Sequence, residues 1–197
     1  FNIEEFSKDT GSLDIESDNS EILSDKYILN GNVEVNSESL FLSADDVEIS
    51  TEDNSLLASG NVRFQDQSYL ISSDFLSATR DENNDLMATA TNANYQDYSV
   101  GIGGANGYSE IISKTPTNVF LTNSTYSICP VNENDWLIEA DQINLNLEKN
   151  RGVANNAIIK FFGVPIFYTP KYSWVLSGRG SGFLTPDYSS YTEPERD

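Results

Sequence analysis

One short pattern returns five times along this 197-residue chain: a glycine or small polar residue, an asparagine, then a small residue. It reads Gly31-Asn32-Val33, Gly60-Asn61-Val62, Thr91-Asn92-Ala93, Thr122-Asn123-Ser124 and Asn155-Asn156-Ala157, with the asparagines 29, 31, 31 and 33 residues apart. A second pattern, Ala/Ser–Asp/Asn–x–apolar, interleaves with it at Ala44-Asp45-Asp46-Val47, Ser73-Asp74-Phe75-Leu76 and Ala140-Asp141-Gln142-Ile143. Ser17-Asp18 opens this second series, and Ala105-Asn106 is its loosest member. A period of about 30 residues holding two strand-sized runs restricts the chain to repeat architectures, in which a unit buries its apolar face only against its neighbours.

Within each unit apolar and polar residues alternate, the signature of half-buried strands. Tyr27, Leu29, Val33 and Val35 share one parity, as do Leu40, Leu42 and Ala44; Val47 pairs with Ile49, Val62 with Phe64, and Tyr69 with Ile71. Trp136, Ile138 and Ala140 match, and so do Ile143, Leu145 and Leu147. Turn-forming runs at Thr51–Asn54, Asp81–Asp85 and Glu148–Asn150 separate the strands. No stretch holds a helical apolar period over three turns. The expected fold is all-β: an elongated two-sheet body with an apolar seam, whether jelly roll, open taco-like sandwich or β-helix. The inward residues are modest in size, which fits either a thin filled core or a seam left open for an apolar ligand.

Charge narrows the partners. With 11 basic and 31 acidic residues the formal charge is −20, and residues 1–147 carry 5 basic against 26 acidic side chains. Nucleic acid is excluded for want of a basic face. There is no histidine, which removes the commonest general base and metal ligand. The abundant carboxylates fall on repeat positions or in solvated turns, and no nucleophile elbow, phosphate-cradling loop or Cys-x-x-Cys is present. No enzyme, metal site or cofactor is expected.

The last 50 residues differ in character. Residues 148–197 carry 6 basic and 5 acidic side chains, and Ala157–Pro170 is dense in β-branched and aromatic residues. Pro165 and Pro170 lack the amide proton that a sheet interior requires and therefore mark an edge strand or strand ends. Tyr168, Tyr172 and Trp174 are of the amphipathic type found at membrane–water boundaries. The glycine-rich run Ser177–Gly182 reads as a linker, so the chain divides into a β-domain over 1–176 and a linker with the start of another region over 177–197. Phe1 does not read as a natural start, so the sequence is taken as a piece of a longer protein. The lone cysteine, Cys129, precedes Pro130 and an acidic turn; it is either inert or paired with a cysteine outside this sequence.

Three stretches, Tyr126-Ser-Ile-Cys-Pro130, Trp136-x-Ile-x-Ala140 and Gly163-Val-Pro-Ile-Phe-Tyr168-x-Pro170, closely resemble one family, as does Gly182-Phe-Leu-x-Pro186. That family is the LPS-assembly proteins (LptD, or organic-solvent-tolerance family) of the Gram-negative outer membrane, at the end of their periplasmic OstA-like domain. The resemblance is strong over 126–186 and repeat-level over 1–125.

The resemblance implies an open β-jellyroll (β-taco) leading through a linker into an outer-membrane barrel absent from this sequence. It implies transport of lipopolysaccharide on the periplasmic side of the outer membrane, with acyl chains in a hydrophobic groove. It favours the open seam, whose lining is expected from Val33, Val35, Leu42, Ala44, Val47, Val62, Phe64, Ile71, Ile138 and Ile143. The implied partners are lipopolysaccharide, an LptA-like periplasmic bridge protein adding a strand at the edge holding Leu13 and Ile15, and an LptE-like lipoprotein plug reached through the barrel. The family links the cysteine at position 129 to one in the barrel. A secreted β-repeat stalk or polysaccharide-binding domain without lipid is the alternative.

Overall fold

The computed structural model describes residues 14–177, apart from 39, 82, 84, 100–103 and 132–134. Leu13 and the linker beyond 177 therefore lie outside the described residues, as does the Gly182–Pro186 segment. Within them the chain is a run of antiparallel strands with no helix: β1 (Asp14–Glu16), β2 (Asn19–Ile22), β3 (Lys26–Asn36), β4 (Leu40–Ser50), β5 (Ser55–Asp66) and β6 (Tyr69–Arg80), then β7 (Leu86–Asp97), β8 (Ala105–Lys114), β9 (Asn118–Tyr126), β10 (Trp136–Asn146), β11 (Arg151–Phe161) and β12 (Val164–Val175). From β3 onward each strand pairs with the one before and after it; β1 and β2 both lie along β3. Successive strands step about 4.8 Å apart, so the sheet extends roughly 50 Å across its strands.

The expected two sheets are one sheet folded along its middle, and the asparagine repeat makes the fold. Asn32, Asn61, Asn92, Asn123 and Asn156 all have positive φ, between 45° and 52°. Asparagine tolerates this left-handed conformation better than other L-residues with a Cβ. In the first two units a glycine at positive φ precedes it, and the ladder slips at Asn30/Val33 and Ser59/Val62. Such bulges bend a strand and raise its local twist, so one sheet supplies both walls of the seam. The alternation also slips on the partner strands: inward residues run Leu42, Ala44, then Val47, Ile49 in β4, and Ile138, Ala140, then Ile143, Leu145 in β10. Both halves of a bent strand thus face the interior.

Each kink is held from outside the wedge by the second pattern. The side-chain amide of Asn32 donates to Asp18 at 2.9 Å, Asn61 to Asp45 at 3.0 Å, Asn92 to Asp74 at 2.7 Å and Asn156 to Asp141 at 2.7 Å. Asn123 completes the series on Glu110. Here the expectation from sequence needs correction: Ser109-Glu110, not Ala105-Asn106, is the acidic position of this unit. Glutamate reaches the same asparagine amide as aspartate, while Asn106 donates to the Cys129 carbonyl at 2.7 Å.

Inside the bend the residues are small and fully buried. Val33 lies opposite Ala44 and Val62 opposite Ser73, and a row runs Ala93–Ser109–Ser124–Ala140 across four strands. A wedge has least room at its apex, which is why larger side chains stand further out on the arms. Ser109 satisfies its buried hydroxyl by donating its single proton toward the Ile111 carbonyl at 2.7 Å, with the Thr122 carbonyl as the alternative acceptor at 3.0 Å, and by accepting from the Thr122 amide.

Candidate functional site: an apolar cavity between two lips

Antiparallel strands in a folded sheet place their turns alternately on two lips. The connections after β3, β5, β7, β9 and β11 form the first lip; those after β2, β4, β6, β8 and β10 form the second. Successive turns on each lip bond to one another, with the Tyr98 amide donating to the Ser68 carbonyl at 2.7 Å on the first and Thr51 to Asp25 at 2.9 Å on the second.

Between the arms lies a cavity of about 580 Å³, within the ~300–1,000 Å³ typical of ligand sites. Its wall runs from Val35 in β3 to Leu145 in β10 and is mostly aliphatic. On the first arm stand Phe64, Ile71 and Tyr95; on the second stand Ala78, Ala88 and Ala90 among larger aliphatics. The alanines fail to fill the wedge opposite the larger residues, and the space is the result.

Four of the ten residues expected in the groove, Val35, Leu42, Phe64 and Ile71, line this cavity. Val33, Ala44, Val47, Val62, Ile138 and Ile143 sit in the buried core beside it, each at most 5 % exposed. The second-arm wall of β6 and β7 does not stand out in the sequence, because alternating Ala, Thr and Ser give little hydrophobic contrast. Nor does the polar rim. Asp66, Tyr69 and Asp97 stand on the first lip, Arg80 and Lys114 on the second. Lys114 Nζ lies 5.1 Å from the centre of the Tyr69 ring, a cation–π contact spanning the mouth. Burial pushes the Asp97 carboxyl above the usual carboxylate range; hydrogen bonds from Ser99 and the charge of Lys114 pull it back in part. The Tyr95 hydroxyl donates to the Thr125 carbonyl at 2.8 Å, and burial raises its pKa well above that of a free tyrosine.

Beyond Leu145 the interior is filled. Trp174 packs on Tyr126 with ring centres 5.0 Å apart and stacks on Tyr172 at 5.8 Å. Its indole lies against Gly152, where an added Cβ would come within 2.4 Å of Cε2. Of the three boundary-type aromatics, then, Tyr172 and Trp174 are packing residues, and only Tyr168 is exposed, donating to Asn156 Oδ1 at 3.2 Å. Pro165 and Pro170 both lie in β12, the last strand of the sheet among the described residues and the kind of edge their chemistry called for. Cys129 is half-buried; its amide donates to Ser127 Oγ at 3.0 Å and its sulfur lies 3.8 Å from the Trp136 carbonyl. Ile15 sits in β1 at the opposite edge. Among the described residues no cluster of His, Cys, Asp or Glu has metal-binding geometry.

A single antiparallel sheet of bent strands folded around an apolar cavity with a polar rim defines a β-groove architecture. The sequence model of the family described as "LptA/(LptD N-terminal domain) LPS transport protein" matches residues 14–151, and the chain belongs to that family. It is 31% identical over 191 residues to the LPS-assembly protein LptD of Pseudoalteromonas translucida, covering 91% of this chain and 24% of that protein. With LptD of Idiomarina loihiensis it shares 30% identity over 184 residues, 92% of this chain and 24% of the relative. The chain thus spans about a quarter of the length of these curated relatives. Among solved structures, LptH from Pseudomonas aeruginosa, an LptA-homologous periplasmic component of the lipopolysaccharide transport device, superposes with a TM-score of 0.44 at 12% identity, covering 93% of this chain and 90% of that one.

Proposed function

We propose that this chain is the groove-bearing part of an LPS-assembly protein on the periplasmic side of the outer membrane, holding lipopolysaccharide acyl chains in transit to a barrel. The observation that carries this reading is the apolar cavity, open between two lips, in a chain of the LPS transport family. Acyl chains need no directional chemistry: each buried methylene contributes roughly 0.8 kcal/mol, so a continuous aliphatic wall retains them and lets them slide. The role is non-catalytic, and the sugar headgroup stays outside the mouth.

Cargo enters at the β1/β2 edge. That edge has no further strand beyond it among the described residues, and an open edge invites strand addition. An LptA-like bridge protein is the proposed partner there, and an LptE-like lipoprotein is reached only through the barrel. β12, the other edge, carries Pro165 and Pro170, which blunt it against the same pairing. Cys129 lies on the first lip next to the filled end of the groove, in keeping with a disulfide to the barrel; complete alkylation of this thiol in unreduced full-length protein would refute that bond.

Native mass spectrometry of the protein purified from an LPS-producing host tests the function. Co-purifying acylated glycolipid is expected. A ligand-free protein that also fails to take up added lipopolysaccharide points instead to a β-repeat stalk or polysaccharide binder.

A further inference from the structure

The rim of the cavity is charged asymmetrically, and the topology explains how. Asp66 ends β5 and Asp97 ends β7, so both acids stand on the first lip. Arg80 ends β6 and Lys114 ends β8, so both cations stand on the second. Among the charged residues lining the cavity the cations thus fall on the second lip alone, while the turns of that lip outside the lining carry Asp25, Glu52, Asp53, Asp81 and Asp85. Lys114 forms no salt bridge among the described residues. Its ammonium instead spans the opening to rest on the Tyr69 ring, where the charge of Asp97 also attracts it; neither is a direct charge-assisted hydrogen bond of the kind a phosphate offers.

We propose that the second lip is the headgroup rail of the groove: Lys114, with Arg80 beside it, receives the anionic phosphate of the bound amphiphile, while Asp66 and Asp97 repel it from the first lip. The inference rests on the groove reading and adds to it the side on which the headgroup travels. Lys114 is the residue that moves. With the mouth empty it bridges the lips over Tyr69; with a phosphate present it turns to the stronger charge-assisted hydrogen bond, which frees the mouth for the acyl chains beneath. Turning Lys114 off Tyr69 removes the contact that spans the mouth, so cargo entering from the β1/β2 edge passes along the cavity without unfolding a strand.

The test compares two probes on the same protein: bis-phosphorylated lipid A, and the same lipid with both phosphates removed enzymatically. Lys114→Gln is expected to weaken binding of the phosphorylated probe by about tenfold and to leave the dephosphorylated one unchanged. Lys114→Arg is expected to retain most of the affinity, and Lys171→Gln, exposed in β12 away from the cavity lining, to change neither. Circular dichroism melts of each variant verify folding. An equal loss for both probes, or no loss for either, overturns the rail while leaving the groove intact. Failure of the unaltered protein to bind either probe overturns the groove and the rail together.

Discussion

Asn61 and Asp45 are joined side chain to side chain at 3.0 Å across the outside of a bent strand pair, sixteen residues apart in sequence. Asn61 holds φ at 48°, and the carboxylate that accepts from it lies so close over the preceding glycine that a Cβ on Gly60 would fall 2.2 Å from Asp45 Oδ2. Four further rungs repeat the arrangement, and together they turn one sheet into two walls. Cavity, lips and rim all depend on that line of bends.

The rung separates two costs that substitution can measure. Asn61→Ala replaces a residue that tolerates the left-handed region with one that does not, costing up to about 1–2 kcal/mol, and also loses the hydrogen bond. Asn61→Gly keeps the backbone free and loses only the exposed bond, roughly 0.5–1 kcal/mol. Urea denaturation should therefore rank wild type above Gly and Gly above Ala. Equal stability of the Ala and Gly variants would mean that the bend does not depend on the left-handed residue.

The repeat that sets this geometry is legible in the sequence, where both patterns and their period can be read directly. Their pairing is not. Asn123 bonds a glutamate where the pattern predicts Asp or Asn, and nothing in a one-dimensional reading says that two residues at separations from 13 to 18 meet. The groove is legible where Val, Leu and Phe alternate cleanly with polar residues, at Val35, Leu42, Phe64 and Ile71. It is illegible on the second arm of β6 and β7, where the wall includes Ala78, Ala88 and Ala90, whose function is to be small. Parity also identifies Ile138 and Ile143 as inward-facing, but not that Tyr126 and Trp174 close off the interior further along the sheet.

If those alanines create the cavity, filling it should block it. Ala88 is half-buried on the second arm, so Ala88→Phe has room to project into open space rather than into packed core. The expected outcome is a large loss of lipid binding with a melting temperature unchanged or raised by burial of the new ring. A strongly destabilised variant would show that the wall is already close-packed there.

Asp97 gives the domain a pH signature. Its folded-state pKa is raised, by desolvation above all, so the folded chain holds this proton more tightly than the unfolded one. The associated stability is fully present below the unfolded value, near 3.8, and is lost as pH rises through the folded pKa. Asp97→Asn should flatten this component and gain stability relative to wild type at neutral pH. Melting curves from below the unfolded value of 3.8 upward to neutral pH check this; an unchanged slope would contradict it.

At the entry edge, strand geometry makes a prediction of its own. Neighbouring residues of an edge strand point their amides in opposite directions, so of Asp14→Pro and Ile15→Pro one removes a bond to β3 and the other removes a donor from the free edge. The second should abolish binding of an LptA-like partner at unchanged domain stability. Unchanged binding in both variants, measured by pull-down with the purified partner, would place the docking edge elsewhere.

Site-specific photo-crosslinking in cells tests the central claim most directly. A photoreactive residue at Val35 or Ile71, on the cavity wall, should capture lipopolysaccharide, while one at the exposed outward neighbours Glu34 or Ser72 should not. Equal capture from both faces, or capture from Glu34 and Ser72 alone, would contradict transport through the folded interior of the sheet.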